Sequence, residues 1–85
     1  MRYRVVLTST ARRELRKLER VPEYRRLFAA IADLAADPRP PASKKLTTVL
    51  GYRLRVGDYR VLYEIDDVVY IVDVQKVGHR RDVYE

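Results

Sequence analysis

The chain has 85 residues, enough for one domain over 1–85 with a single modest core. It carries 18 Lys and Arg against 12 Asp and Glu, a formal net charge of +6, and 14 of the 18 cations are arginines; that balance suits an anionic partner, or else solubility alone. With no cysteine and one histidine it offers no disulfide framework, no thiol nucleophile and no Cys- or His-built metal centre, and no apolar run approaches the roughly 18 residues of a membrane span.

RYRVVLT, residues 2–8, alternates Tyr3, Val5 and Leu7 with Arg4, Val6 and Thr8 and predicts a first strand. Its start has no signal-peptide layout, so a reduced, cytoplasmic location is the default expectation. Ser9 and Thr10 are candidate caps for a helix over about 11–20, whose apolar stripe is Ala11, Leu15 and Leu18. Pro22 suits the first turn of a second helix over 23–37, with Tyr24, Leu27, Phe28, Ile31, Leu34 and Ala35 at helical spacing. The two helices read as an antiparallel hairpin. PRPPASKK, residues 38–45, reads as a stiff loop ending in Lys44 and Lys45. A β-hairpin over 51–65 follows, then a turn at Asp66 and Asp67. A last strand over 68–74 is apolar enough to lie at the centre of a sheet. The expected class is α+β: a small antiparallel sheet with the N-terminal helical hairpin packed on one face.

The hairpin carries the functional signal. Gly57-Asp58 suits a two-residue loop, and that loop pairs Val56 with Tyr59, Arg55 with Arg60, Leu54 with Val61 and Arg53 with Leu62. Tyr52, Leu54, Val56, Tyr59, Val61, Tyr63 and Ile65 then face the helices. Arg53, Arg55 and Arg60 gather on the other face, where like charges directly across a sheet repel. Two readings fit: a solvated face paired with Glu64 and other acids, or a surface for an anion. Lys44 and Lys45 precede the hairpin, and His79, Arg80, Arg81 and Tyr84 follow the last strand. If these converge on the arginine face, they form a basic concavity with an aromatic rim, which suits single-stranded RNA better than duplex DNA.

TSTARRELRKL, GYRLRVGDYRVLYEIDD and VGHRRDVY, in that order and at this spacing, resemble the RelE/ParE toxin superfamily of bacterial and archaeal toxin–antitoxin systems. The resemblance covers most of the chain. It implies a RelE-like fold, a cytoplasmic toxin, a cognate antitoxin as partner, and DNA contact only through the antitoxin complex. It implies no membrane, metal or organic cofactor. For RelE-like members it implies cleavage of messenger RNA on the ribosome by attack of a 2′-hydroxyl on the adjacent phosphate. Carried over by position, the catalytic candidates are Arg60, Arg80 and Tyr84, with Arg53 on the preceding strand. A lysine that some members have falls on Gly51, and Lys45 is the substitute considered from the loop.

In that reaction Arg60 and Arg80 stabilise the phosphorane, and Tyr84 orients or stacks a base. Lys45 is a candidate base and His79 a candidate acid, though an exposed loop residue is the reading His79 suits first. Arg53, Arg55, Lys44, Arg81 and His79 make up the RNA-binding set. The competing reading is a ParE-like inhibitor that binds DNA gyrase without catalysis. A third is an inactive relative kept as a co-repressor with its antitoxin.

Overall fold

The computed structural model describes residues 2–47 and 50–82. Its elements are β1 (Arg4–Leu7), α1 (Ser9–Lys17), α2 (Tyr24–Asp33), β2 (Ser43–Lys45), β3 (Tyr52–Val56), β4 (Tyr59–Asp66) and β5 (Ile71–His79). The strands form one sheet in the order β1-β5-β4-β3-β2. All neighbours are antiparallel except β1 and β5, which run parallel, so the sheet is mixed.

Several boundaries move for identifiable reasons. α1 begins at Ser9 because Thr8, in an extended conformation, caps it: its hydroxyl accepts from the Ala11 N–H at 3.1 Å. α2 ends at Asp33, short of the expected 37, and residues 34–36 form a turn. The expected start of the last strand at 68 is also corrected. The Asp66 carboxylate accepts from the N–H groups of Val68 and Val69, at 2.9 and 3.1 Å, which bends the chain into a turn. Tyr70 completes that turn with φ 58°, so β5 starts at Ile71 and runs on to His79. Residues 43–45, expected as loop, pair with β3 as a short edge strand.

The hairpin register is the expected one, with Val56 opposite Tyr59, Arg55 opposite Arg60 and Arg53 opposite Leu62. Gly57 takes the positive φ, 58°, as the first residue of a II′ turn does. On the helix-facing side Leu54, Val56, Val61 and Tyr63 are buried with Val72, Val74 and Val77 from β5. Ala11 and Leu15 of α1, Leu27 and Ile31 of α2, and Leu34 just beyond it close the core over them. Each fully buried Val or Leu side chain is worth about 1.5–3 kcal/mol of transfer free energy. Both helices therefore lie on one face, and among the described residues no helix covers the other face of the sheet.

β4 and β5 shift register between Leu62 and Tyr63: Leu62 lies opposite Lys76, Tyr63 opposite Val74, and Gln75 is the extra residue. The bulge changes the parity of β5. Asp73 lies on the open face before it, and Lys76 and Gly78 after it. Beyond Val74, β1 no longer covers the outer edge of β5. α1 covers it instead: Glu14 Oε1 accepts from the Val77 N–H at 3.0 Å, and the Thr8 hydroxyl donates to the Gln75 carbonyl.

At the far end of the sheet Arg39 ties the proline-rich loop down. It pairs with Asp67 at 2.8 Å, donates to the Tyr52 hydroxyl at 3.0 Å and lies over the Tyr52 ring. Tyr3 donates to Asp67 as well. Arg39 and Tyr3 hold the Asp67 carboxyl below the usual carboxylate range, Arg39 contributing most. The Tyr63 hydroxyl donates to the Pro38 carbonyl at 2.7 Å, and burial pushes the Tyr63 phenol up.

Candidate nucleic-acid interface

The open face is built by strand alternation. Directly opposed residues share a face, so Lys44 of β2 joins Arg53 of β3, Arg55 joins Arg60 of β4, and Leu62 joins Lys76 of β5. Five cations thus come from four neighbouring strands. Arg53 and Arg60 are half-buried; Arg55 and Lys44 are exposed. Opposed side chains start with Cβ atoms about 5 Å apart, so the guanidiniums of Arg55 and Arg60 share one patch. The acids lie at the other end of the same face. Glu64 stands opposite Asp73, and its Oε2 accepts from Gln75 Nε2 at 2.8 Å. The face is basic toward the hairpin turn and acidic toward the β4–β5 turn, with Leu62 between the two ends.

Arg80 stands at the basic corner. Its N–H donates to the Asp58 carbonyl at 2.8 Å, which docks the chain after β5 beside the Gly57-Asp58 turn. The chain then turns back: Asp82 N–H bonds the His79 carbonyl, and Arg81 and Asp82 line a groove with Glu14, Lys17 and Leu18 on the helix side.

Two expectations fail here. His79 lies opposite Tyr59, on the helix-facing side, and packs edge-on against that ring with centroids 5.5 Å apart. Its Nδ1 accepts the Arg81 N–H at 3.2 Å. Lys45 lies opposite Tyr52, so its side chain leaves the strand on the face opposite Lys44 and Arg53. Neither joins the arginine face, because each is one residue out of phase with it. Tyr84 lies outside the described residues. Lys76 reaches the open face only through the bulge, since strict alternation along β5 from Val72 and Val74 would turn it to the helix side.

Gly51 has a physical reason not to be a lysine. It sits at φ 115°, and a Cβ there would come within 2.7 Å of the Tyr63 carbonyl oxygen. Among the described residues no group of three or more His, Asp or Glu is placed to hold a metal ion, and no helix is long and apolar enough to cross a membrane.

Comparison with known proteins adds to this geometry. The family model for the ParE toxin of the type II toxin–antitoxin system parDE matches residues 5–84. The chain belongs to the RelE/ParE toxin superfamily. The toxin is 37% identical over 90 residues to Toxin RelG of Mycobacterium tuberculosis (strain ATCC 25618 / H37Rv), covering 99% of this chain and 98% of that protein. Its fold matches the RelBE2 toxin–antitoxin complex of Mycobacterium tuberculosis with a TM-score of 0.71 at 36% identity, over 94% of this chain and 100% of that one. It also matches the archaeal RelE–RelB complex of Pyrococcus horikoshii with a TM-score of 0.80 at 28% identity, over 98% and 100%. The toxin is thus a RelE-family toxin of type II toxin–antitoxin systems, with the mixed α+β sheet and paired helices of its relatives.

Proposed function

We propose that the toxin cleaves messenger RNA on the ribosome, with the basic end of the open sheet face as its site. The observation that carries this reading is the convergence of Lys44, Arg53, Arg55 and Arg60 on one uncovered face. Cations gathered at neighbouring positions of one face suit the closely spaced charges of a phosphate backbone. In the reaction a 2′-hydroxyl attacks the adjacent phosphorus, the bond from phosphorus to the 5′-oxygen breaks, and the products are a 2′,3′-cyclic phosphate and a 5′-hydroxyl. Charge gathers on the phosphorane, where Arg60, Arg53 and Arg80 stabilise it. A base must take the 2′-proton and an acid must protonate the leaving oxygen. Arginine holds its protons at any working pH, so proton transfer falls to the lysines of the face. Lys44 is our choice in place of Lys45; Lys76 is already paired with Glu14 at 3.7 Å. Tyr84 is retained as the residue that stacks a base.

The cognate partner is an acidic antitoxin that covers this face, in keeping with the antitoxin complexes solved for relatives. DNA is reached through that complex, and the site of action is the cytoplasm. The test is primer extension on a short mRNA in programmed ribosomes, with the parent chain and with Arg60→Ala plus Arg80→Ala. Codon-positioned cuts that vanish in the double variant support the reading. Absence of cuts from folded parent protein overturns it.

One observation favours a second reading. The matching family model is that of ParE toxins, so a non-catalytic gyrase inhibitor is the alternative. Inhibition of gyrase supercoiling by the same preparation, without RNA cleavage, would establish it.

A further inference from the structure

A second basic surface lies on the opposite side of the molecule. α1 buries Ala11 and Leu15 and sets Glu14 against β5. Successive residues turn by about 100°, so Arg12, Arg13, Arg16 and Lys17 fill the arc facing away from the core. Arg20 follows in the turn beyond. All five are exposed, and none makes an ion pair or side-chain hydrogen bond with a described residue.

This arrangement works against the helix. Arg12 with Arg16 and Arg13 with Lys17 are like-charge neighbours four apart, which is destabilising. The first turn holds no acidic residue to complement the helix dipole. Arg16 and Lys17 lie in the last turn, where cations suit the dipole, but Arg12 and Arg13 lie nearer the N-terminus, where they do not, so fold stability does not account for the whole row, and solubility needs no clustering. The arc also contains no apolar or aromatic side chain. A protein partner is anchored by buried apolar and aromatic groups, whereas a phosphate backbone needs only cations at regular intervals. Residues four apart on the helix recur about every 6 Å along its axis, a single-file spacing suited to successive phosphates.

We propose that the outer face of α1 is an RNA-docking surface distinct from the arginine face of the sheet. It holds the phosphate backbone of structured RNA while the sheet face engages the strand to be cut. The identity of the polyanion rests on the RNA reading above; the existence of the surface does not.

The test is a triple variant, Arg12→Gln, Arg13→Gln and Arg16→Gln, which keeps good helix formers and removes three charges. Binding to a structured stem-loop RNA is measured for parent and variant between 50 and 200 mM salt, and thermal unfolding serves as the folding control. The variant should melt no lower than the parent. Its RNA affinity should fall, and its log–log salt slope should shrink by about 2–3, so that the loss of affinity across that salt range is roughly 16–64-fold smaller than for the parent. A variant that binds RNA with unchanged affinity and slope overturns the proposal and leaves these cations to a protein partner or to solvent. Primer extension on the same two proteins separates the two readings. If the parent makes no cuts but its RNA binding depends on α1, the cleavage reading fails and this one stands. If the parent cuts and the variant binds unchanged, the reverse holds.

Discussion

Arg55 and Arg60 stand directly opposite one another, the second pair from the hairpin turn, while Glu64 and Asp73, opposed on β4 and β5, lie toward the other end of the face. The pairing is unfavourable to the hairpin by a few tenths to about 1 kcal/mol. Arg55 returns little, since its Nε reaches only the Gly57 carbonyl at 3.5 Å. Arg55→Thr, with a better strand former, should therefore raise stability by about 0.5 kcal/mol, or roughly 2–4 °C in Tm for a chain of this size. RNA cleavage should fall at the same time. A calorimetric Tm below that of the parent would show that the pair is not repulsive in the folded protein.

Gly51 tests why the lysine considered for the site is absent. Gly51→Lys meets both a positive φ and the Tyr63 carbonyl oxygen at 2.7 Å. Backbone strain and the forced shift together should cost about 2–4 kcal/mol, read as a lower urea midpoint. A variant as stable as the parent would mean that the chain relaxes there at no cost.

Much of this was legible in the sequence, and the rest has definite reasons. Gly57-Asp58 between alternating runs fixed the hairpin register, and with it the side on which Arg53, Arg55 and Arg60 emerge. The misplacement of His79 came from ending the last strand at 74. Val72 and Val74 keep period two, but Val77 is three further on, the spacing a one-residue bulge produces. Read that way, β5 would have been carried through Lys76 to His79. The parallel pairing of β1 with β5 is a tertiary choice that no local pattern in RYRVVLT encodes. Lys45 is the expected base and Lys44 the one on the face, because strand β2, three residues long, gives no periodicity by which to tell them apart.

Asp67 should mark the acid limit of the far end of the sheet. Its folded pKa is depressed, so its contribution is fully present above the unfolded value of about 3.9 and is lost as pH falls through the folded value. Asp67→Asn should lower Tm at pH 7, because Arg39 and Tyr3 lose a charged acceptor. The gap between parent and variant should narrow as pH falls below about 4. Melting curves at pH 7, 4 and 2 suffice; a gap that stays constant would show that hydrogen bonding alone, without ionisation, holds Arg39 to the turn.

His79 separates proximity in sequence from placement at the site. It follows the basic strand end and immediately precedes Arg80, yet it points to the helix side, edge-on to Tyr59, with Nδ1 accepting the Arg81 N–H. An imidazole on that side cannot protonate an oxygen bound over Arg60 without the strand turning over. His79→Gln should therefore leave the rate of mRNA cleavage within about threefold, at a stability cost of about 0.5–1 kcal/mol for the lost ring contact. Arg80→Ala should lower cleavage by about a hundredfold or more, as removal of a fixed donor to a developing oxyanion does. The pH profile gives the sharper comparison. With His79 outside the reaction, parent and His79→Gln profiles should superimpose. A limb of the parent profile that disappears in His79→Gln would instead put the imidazole in the chemistry, and would require the 79–82 turn to rearrange when RNA binds.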